Sequence, residues 1–268
     1  MFNLSGKVAI ITGGAGVLGS AMAKGLSKAG AKVGILSRTV SKVQNAVTEI
    51  EAMGGEALAL IADVLDEDQL MEAKNKVVAT WGSIDILINA AGGNMKGATI
   101  MPDQDIFSLS MEDFTKVTDL NLKGTVLPTM IFAQTMATQK KGCIINISSM
   151  AAQQAITRVV GYSASKAAVD NFTKWMAVEM AHKFGEGIRV NAIAPGFFIA
   201  DQNRRLLTNE DGSLTARGQT IINETPVKRF GQPEELVSTL RWLCSDASSF
   251  VTGIIVPVDG GFSAFSGV

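Results

Sequence analysis

The stretch KVAIITGGAGVLGSAMAKGL, residues 7–26, decides the fold because it places a strand, a sharp turn and a helix next to one another. Val8, Ile10 and Ile11 are typical of a strand that is buried on both faces of a parallel sheet. Four glycines follow the strand, where they allow a sharp turn and leave room for a ligand: Gly13, Gly14, Gly16 and Gly19. The free N–H groups of the helix that starts here attract phosphate, so the stretch predicts a phosphate-binding turn.

The surroundings of the turn make this prediction more specific, since glycine also occurs in other strand-to-helix turns. The turn follows an apolar strand and opens an Ala-rich helix, in which Ala21, Ala23 and Gly25 allow close packing on a sheet. This arrangement is that of the dinucleotide-binding fold.

The composition indicates one domain that acts on a small molecule. The chain has 268 residues, and open α/β domains of this size often form one unit, so we expect a single dinucleotide-binding catalytic domain over residues 1–268. The net charge of −1 gives no electrostatic argument for nucleic acid or an anionic membrane. Charges interrupt every apolar run before the roughly 20 residues that span a bilayer, and residues 1–4 lack a signal-peptide layout. We therefore expect a cytoplasmic protein with a small-molecule substrate.

Cysteine and histidine are too few for a metal centre or a Ser-His-Asp mechanism. Cys143 and Cys244 are the only cysteines, and the apolar patterns around them predict buried free thiols. His182 is the only histidine and lies in a helical pattern without a ligand partner. We expect no metal.

The end of the second predicted strand, residues 32–36, bears on the choice of cofactor. An acidic residue here would accept hydrogen bonds from both ribose hydroxyls and repel a 2′-phosphate, whereas Ser37 is neutral and Arg38 can pair with phosphate. NADP(H) is therefore favoured. NAD(H) remains possible, because Arg38 could instead be a solvated charge at a helix start.

Asp63 and Val64 follow the third predicted strand, residues 57–61. The carboxylate of Asp63 can accept a hydrogen bond from the exocyclic amine of adenine, and it can equally cap the next helix. The sequence leaves both interpretations open.

Strands and helices alternate along the chain, which predicts a Rossmann-type doubly wound parallel sheet of about seven strands with helices on both faces. The remaining strands are predicted at residues 84–88, 144–147, 188–193 and 253–258. Residues 94–110 are irregular, and a helix from about Met111 carries Asn121, whose amide needs a partner if it is buried. Residues 197–230 are long, polar and interrupted, which is typical of a substrate-binding loop region.

The most specific pattern is YSASK, in which Tyr162 and Lys166 lie four residues apart and share one helix face. Ser149 follows the fifth predicted strand upstream. A phenol with a pKa of about 10 is poorly matched to proton transfer at neutral pH, and an ammonium one turn away favours phenolate. We expect Tyr162 to exchange a proton with a substrate oxygen, Lys166 to lower the Tyr162 pKa, and Ser149 to hydrogen-bond that oxygen.

Two arginines are candidates for binding a substrate carboxylate, which arginine holds with two parallel hydrogen bonds. Arg158 lies four residues before Tyr162, and Arg204 lies in the long loop region. We favour Arg158, with Asn203 and Arg204 closing over the hydroxyls and Asn94 on the opposite wall. Either arginine alone could equally be a surface charge.

The chain resembles the short-chain dehydrogenase/reductase family over essentially its whole length. The matching residues fall in family order: Thr12–Gly19, Asn89–Gly92, Asn121, Ser149, Tyr162, Lys166 and Pro195–Gly196. The resemblance implies a seven-stranded sheet, a homotetramer, contact of Lys166 with the nicotinamide ribose, and a proton-relaying water held by Asn121. Val17, Ala90 and Ala200 depart from the glycine, asparagine and threonine that are usual at these positions.

The site residues that follow from the motifs and the resemblance form three sets. The catalytic set is Asn121, Ser149, Tyr162 and Lys166. The cofactor set is Gly13, Gly14, Gly16, Val17, Leu18, Gly19, Ser37, Arg38, Asp63, Val64, Asn89, Ala90, Ala91, Gly92, Tyr162, Lys166, Pro195, Gly196, Phe198 and Ile199. The substrate set is Asn94, Ser149, Arg158, Phe197, Asn203 and Arg204.

A closer likeness within the family is to the D-mannonate oxidoreductases, or fructuronate reductases. It is carried by AGGN at 91–94, NISSM at 146–150, APGFF at 194–198, QNRRLL at 202–207 and the ending VDGGFSAFSGV. This likeness implies a keto-uronate substrate. The alternatives are a reductase of a neutral sugar, a polyol or an acyl thioester, and a non-catalytic dinucleotide-binding regulator, against which the intact Ser149, Tyr162 and Lys166 argue.

The C-terminal segment, residues 262–268, carries two phenylalanines and no charge. A free terminus is seldom so apolar, so we expect this segment to pack on another surface. A subunit interface of the homotetramer is the predicted place.

Overall fold

The computed structural model of the chain describes residues 2–200 and 203–267, and its centre is a parallel sheet of seven strands. The strands are β1 Val8–Thr12, β2 Lys32–Ser37, β3 Ala57–Ile61, β4 Ile86–Asn89, β5 Gly142–Ile147, β6 Ile188–Pro195 and β7 Ile255–Val258. Their order in the sheet is β3-β2-β1-β4-β5-β6-β7, and every neighbouring pair is parallel. The predicted Rossmann-type doubly wound sheet in a single domain is confirmed.

Helices cover both faces of the sheet, as crossover connections between parallel strands require. They are α1 Val17–Lys28, α2 Val40–Ala52, α3 Glu67–Trp81, α4 Met111–Thr118, α5 Gly124–Gln139, α6 Val160–Phe184, α7 Arg204–Leu207, α8 Ala216–Glu224 and α9 Leu236–Cys244. Helices α1, α2 and α9 enclose one hydrophobic core, and α3, α5 and α6 enclose the other. Successive strand side chains alternate between the two, so Ile11 lies in the first core and Ile10 in the second.

The region between β4 and β5 is less regular than predicted. The helix expected from about Met111 is present, but a π-helical segment, Asp119–Lys123, separates α4 from α5. Such segments are rare and often occur at functional sites. The predicted loop at 197–230 contains the two short helices α7 and α8.

This topology fixes where a ligand can bind. The chain leaves β1 toward one side of the sheet and later returns to pair β4 with β1 on the other side. Ligands of open α/β sheets bind beyond the carboxyl ends of the strands at such a reversal of strand order. No helix among the described residues is long and apolar enough to span a membrane.

Candidate active site

The glycine turn after β1 is packed directly against the turn after β4. Gly13 has a φ of 65°, and a Cβ atom there would lie 2.8 Å from the Ala90 carbonyl oxygen. The Thr12 hydroxyl oxygen accepts hydrogen bonds from the N–H groups of Ala90 (3.1 Å) and Ala91 (3.2 Å). A Cβ atom on Gly19 would collide with the Gly13 carbonyl oxygen. Glycine is therefore required by backbone packing, as well as by any ligand.

A cavity of about 140 Å³ opens beside this turn, where the second, third and fourth strands also end. Its walls are formed by Gly13, Leu36, Ser37, Arg38, Ala62, Asp63, Val64, Ala91, Gly92 and Leu120. The structure thus brings together seven of the predicted cofactor residues and adds Leu36, Ala62 and Leu120, whose ordinary apolar character gave no signal. A Cβ atom on Gly92 would lie 2.6 Å from the Asn121 amide oxygen, so the packing of Asn121 on this turn requires glycine there. The cavity lies beyond the carboxyl ends of the strands, which is where open α/β sheets bind dinucleotides.

Arg38 and Asp63, which were predicted to touch different parts of a cofactor, are joined to each other. An Arg38 Nη1 lies 3.5 Å from an Asp63 carboxylate oxygen, and the side chains are 69% and 32% exposed. Asp63 also accepts a hydrogen bond from the N–H of Leu65 at 3.0 Å. The suggestion that Asp63 caps the next helix is wrong, because Asp66 immediately precedes α3 and accepts from the N–H of Gln69 at 3.0 Å.

Asn121 lies in the π-helical segment and is completely buried. Its amide nitrogen donates to the carbonyl oxygens of Gly93 (2.7 Å) and Val117 (2.8 Å), and its amide oxygen accepts from the N–H of Gly93 at 3.2 Å. The buried Asn121 amide is therefore paired mainly with the backbone of Gly93, in the loop after β4. The backbone carbonyl of Asn121 accepts a hydrogen bond from the Thr125 hydroxyl at 2.9 Å.

Asn89, another residue predicted to bind the cofactor, uses its side chain inside the protein. Its amide donates to Thr129 Oγ1 (2.8 Å) and to Asn146 Oδ1 (2.9 Å), and Asn146 donates in turn to Thr173 Oγ1 (2.8 Å). This buried chain connects α5, β4, β5 and α6. Contact of Asn89 with a cofactor stays a prediction.

Ser149, Tyr162 and Lys166 converge just beyond β5. Ser149 precedes a 3₁₀ turn at Met150–Ala152, where its hydroxyl accepts a hydrogen bond from the N–H of Ala151 at 3.1 Å. The Lys166 ammonium donates to the carbonyl oxygen of Ile147 at 2.7 Å and lies 5.6 Å from the centroid of the Tyr162 ring. The lysine is 4% exposed, so its charge is held against the strand end.

Burial dominates the titration of this cluster. It lowers the pKa of Lys166 to about 8, an effect that the Asp170 carboxylate opposes. Burial raises the pKa of Tyr162 above its usual value, and the Ser149 hydroxyl opposes this shift. The expectation that Lys166 lowers the Tyr162 pKa is therefore wrong for the chain by itself, because desolvation of the phenol is the largest effect and raises its pKa. At neutral pH Tyr162 keeps its proton.

The residues predicted to contact a substrate come from three segments around this cluster. The Asn94 amide nitrogen donates to Thr99 Oγ1 at 2.7 Å, and its buried amide oxygen has no hydrogen-bond partner within residues 2–200 and 203–267. Asn203 uses both ends of its amide to shape its own turn, accepting from the N–H of Ala200 and donating to the carbonyl of Phe198, each at 2.8 Å. Arg158 is half-buried and Arg204 is exposed. Gln202 lies outside the described residues.

The C-terminal segment packs on its own chain at this same place. The Phe262 ring meets the Phe197 ring edge to face, with centroids 5.1 Å apart. The Asp259 carboxylate accepts from the N–H groups of Gly261 (2.9 Å) and Ser263 (2.8 Å), which orients the segment. Part of its apolar character is thus explained within one subunit, and the interface role stays a prediction. Val268 is not among the described residues.

Comparison with known proteins decides the family. A family model described as enoyl-(acyl carrier protein) reductase matches residues 13–263. The chain is a short-chain dehydrogenase/reductase. It is 49% identical to an uncharacterized oxidoreductase of Bacillus subtilis (strain 168), UxuB, over 99% of this chain and 98% of that one.

Solved structures agree with this membership. A Haemophilus influenza protein assigned provisionally as a D-mannonate oxidoreductase, with bound NAD, has a TM-score of 0.92 and 41% identity over 99% of this chain and 98% of that one. A gluconate 5-dehydrogenase from Burkholderia cenocepacia J2315, in complex with NADP and tartrate, has a TM-score of 0.87 and 32% identity over 98% of this chain and 97% of that one. Members of this short-chain dehydrogenase/reductase family thus bind nicotinamide dinucleotides of both types.

One charged residue of this short-chain dehydrogenase/reductase was missed in the sequence. Asp170 lies one further turn along α6 from Lys166, is 9% exposed, and has one carboxylate oxygen without a hydrogen-bond partner in the described part of the chain. Burial raises the Asp170 pKa, and hydroxyl, amide and ammonium groups nearby oppose the shift. Extending the Tyr162–Lys166 spacing by four residues would have found it.

Cys143 and Cys244 are buried free thiols, as predicted. Cys143 donates to the carbonyl of Leu243 at 3.3 Å, which places the two cysteines on neighbouring elements. Within residues 2–200 and 203–267, no cluster of three histidine, cysteine or acidic residues could hold a metal ion.

Proposed function

We propose that this enzyme interconverts D-fructuronate, a keto-uronate, and the sugar acid D-mannonate, with NADP(H) favoured and NAD(H) possible. The likeness to the Haemophilus protein carries the choice of substrate, since it extends over 99% of the chain at 41% identity. The tartrate in the Burkholderia structure supports a hydroxy acid as the substrate class. Ser149, Tyr162 and Lys166 at the end of β5 support the reaction type.

The cofactor site is proposed from the packing described above. The glycine turn, Gly13 to Gly19 with Val17 and Leu18, would hold the phosphates at the start of α1. The Ser37–Arg38 and Asp63–Val64 pairs would take the adenosine. Backbone at Asn89–Gly92, Pro195–Gly196 and Phe198–Ile199 would face the nicotinamide. When bound, the dinucleotide supplies or accepts the hydride.

The chain's own residues manage the proton and the developing negative charge. In reduction, Tyr162 donates its proton to the substrate oxygen, and its raised pKa keeps that proton in place at neutral pH. Ser149 donates a hydrogen bond to the same oxygen as negative charge develops. The Lys166 ammonium, held by the Ile147 carbonyl, stabilises the phenolate that is left behind. Asn121 holds the water through which the proton is replaced.

The substrate's polar groups would be met by the segments around the cluster. Arg158 takes the carboxylate, because an unpaired buried charge is very costly and a guanidinium binds carboxylate in two places. The unpaired amide oxygen of Asn94 is a ready acceptor for a hydroxyl. Asn203 and Arg204 close over the other hydroxyls, and Phe197 covers the sugar.

A spectrophotometric screen tests this proposal. D-Fructuronate, D-tagaturonate, D-fructose and an acetoacetyl thioester are each mixed with NADPH or NADH, with Tyr162→Phe as the background control. Oxidation of the cofactor by D-fructuronate above the other compounds supports the proposal. Turnover only of D-fructose indicates the neutral-sugar alternative, and turnover only of the thioester indicates the acyl alternative that the family model's description raises. Tight cofactor binding without turnover of any compound would indicate a regulator.

We also propose that the enzyme is a cytoplasmic homotetramer. The resemblance to its family supports the assembly, and the apolar residues 262–267 are partly exposed in the single subunit. Sedimentation velocity measures the assembly directly, and a monomer at micromolar concentration would contradict the proposal.

A further inference from the structure

Two arginines from different parts of the chain lie on adjoining segments beside the catalytic helix. Arg158 precedes α6, and Arg217 lies in the first turn of α8. The Arg217 guanidinium donates to the Thr157 hydroxyl at 3.0 Å and to the Thr157 backbone carbonyl at 3.3 Å. These two hydrogen bonds hold helix α8 against Thr157, the residue next to Arg158.

The two guanidinium groups are close enough to affect each other. Burial and the positive charge of Arg158 both lower the pKa of Arg217. Each arginine is half-buried, so solvent screens their repulsion only in part. Neither forms an ion pair with an acidic residue in the described part of the chain.

Arg229, in the same loop region, is an arginine that forms an ion pair within the chain. Arg229 binds both carboxylate oxygens of Glu235, at 2.7 and 2.6 Å. That pair is satisfied within the chain and leaves no capacity for a ligand. Arg158 and Arg217 lack such a partner, so an anion is the group that relieves their mutual repulsion.

The backbone at Arg158 shows that this position is imposed by its surroundings. Its φ of 79° lies in the left-handed region, which is unfavourable for a residue with a side chain. The Arg158 carbonyl accepts a hydrogen bond from the N–H of Ile100 at 3.0 Å, which joins the 94–110 segment to the start of the catalytic helix. The pair of arginines therefore lies where three segments of the substrate side meet.

We propose that Arg158 and Arg217 form a single anion site that binds the carboxylate of a sugar acid, which makes Arg217 a specificity-determining residue. This inference rests on the proposed function, because it assumes a carboxylate substrate. It goes further by giving α8 a defined role. Helix α8 carries Arg217, the second cation of the site, and the hydrogen bonds from Arg217 to Thr157 fix the position of the helix.

The test compares Arg217→Gln with Arg205→Gln, which removes the same charge from an exposed position in the same loop region. Arg217→Gln should lower kcat/KM for D-fructuronate by about 10- to 150-fold, mainly through KM, with little change for D-fructose. Arg205→Gln should change neither. Arg217→Lys keeps the charge without the two-pronged geometry and should fall between wild type and Arg217→Gln.

A double variant shows whether the two arginines share one ligand group. If they do, the loss in Arg158→Ala combined with Arg217→Gln is smaller than the product of the two single losses. Independent losses would overturn the single site. Equal losses for D-fructuronate and D-fructose in Arg217→Gln would also overturn it, since Arg217 would then only hold α8 on Thr157. Thermal unfolding of each variant checks that α8 remains folded.

A failure of the proposed function can be distinguished from a failure of the anion site. If wild-type enzyme reduces no keto-uronate, that function fails whatever the variants do. Calorimetric binding of D-mannonate to the enzyme–NADP complex then decides the anion site alone. Binding about tenfold or more weaker in Arg217→Gln supports the site, and binding that is absent or equal in both enzymes overturns it.

Discussion

The two halves of the site are built in different ways. On the cofactor side, backbone packs on backbone at Gly13 and Ala90, and Asn121 joins the loop after β4 to its helical segment with two hydrogen bonds to Gly93. On the substrate side, irregular segments at 94–110, 150–159 and 197–230 carry polar groups without partners among the described residues, such as the Asn94 amide oxygen and the guanidinium of Arg158. Phe107 in the first of these segments is 91% exposed.

The difference shows how one fold serves many substrates. Relatives bind NAD or NADP, and the proposed cofactor site consists of main-chain geometry that few side chains can change. The proposed substrate contacts are a few side chains on loops, which a rigid scaffold positions. Substitutions on the cofactor side should therefore affect stability and all substrates, whereas those on the substrate side should affect one class of substrate.

The largest expected effect is that of Arg158→Ala on the substrate side. Truncation leaves the substrate carboxylate unpaired. The fall in kcat/KM for D-fructuronate should correspond to a loss of about 2–5 kcal/mol in transition-state stabilisation. Steady-state kinetics with D-fructose, which has no carboxylate, should change little. Equal losses for both sugars would show that Arg158 supports the strained turn before α6 and that the carboxylate must be bound elsewhere, with Arg204 the next candidate.

The second effect concerns Arg38, whose charge would select the cofactor. On the proposed function, Arg38→Asp removes a charged hydrogen bond to the 2′-phosphate. The ratio of kcat/KM for NADPH over NADH should then fall by a factor that corresponds to about 1.5–3 kcal/mol. Asp63→Asn should raise that ratio, because it frees Arg38 from its ion pair. Lys42→Asp, which reverses an exposed charge on α2, is the matched control. An unchanged ratio in Arg38→Asp would remove Arg38 from cofactor selection.

The sheet and the glycine turns could be predicted from the sequence for a physical reason. Close backbone approach requires glycine, and a buried strand requires a run of apolar residues, so both leave a local signature. The spacing of Tyr162 and Lys166 is similarly local, since one helix carries both residues. Strand boundaries differ by at most two residues, as when β4 begins at Ile86 rather than at residue 84.

The substrate side could not be predicted in the same way. Arg217 is hydrogen-bonded to Thr157, sixty residues earlier in the chain, and nothing local marks either residue. Nothing local showed that the Asn203 amide also shapes its own turn, and its contact with a substrate stays a prediction. The Tyr162 pKa was misjudged because sequence spacing shows the neighbouring charge but not the burial, which is the larger effect.

Gly19→Ala should have a moderate effect on stability. The added methyl group would overlap the backbone of Gly13 and Gly14, which cannot move without disturbing β1, so a loss of about 1–3 kcal/mol is expected. Gly16→Ala is the control for stability, since its nearest obstacle is a single carbonyl oxygen at 3.3 Å. Thermal unfolding measures both. A Gly19→Ala protein as stable as Gly16→Ala would mean that the turn adapts and that the two halves of the site do not differ in rigidity.

Asp170→Asn should have a smaller effect, visible mainly in the pH dependence. The carboxylate favours the charged form of Lys166, so its removal should take the Lys166 pKa further below about 8. The alkaline limb of kcat/KM in the reduction direction, where Lys166 loses its proton, should then move to lower pH by up to about one unit. Glu179→Gln, further along α6, is the control. An unmoved limb would exclude Asp170 from tuning the lysine.

The lowered pKa of Lys166 also predicts how the free energy of unfolding depends on pH. Its folded pKa of about 8 lies below the ordinary value of 10.5, so the unfolded chain binds more protons between these two pH values. The contribution of Lys166 to the free energy of unfolding therefore rises with pH across this window, and its cost of about 3 kcal/mol is fully present below it. Denaturant unfolding of wild type and Lys166→Met, compared from pH 7 to 10, measures this difference.

The smallest effect tests the contact that links the C-terminal segment to the substrate loops. Phe262→Leu keeps an apolar side chain but removes the edge-to-face contact with Phe197, worth about 0.5–1.5 kcal/mol. Because Phe197 lies at the start of the loop region, the KM for D-fructuronate should rise while the dissociation constant of the cofactor stays the same. Phe265→Leu, in the same segment but outside that ring pair, serves as the control. If Phe262→Leu weakens the cofactor as much as the substrate, the segment supports the whole site, and the separation between a rigid cofactor side and an adaptable substrate side does not extend to the C-terminus.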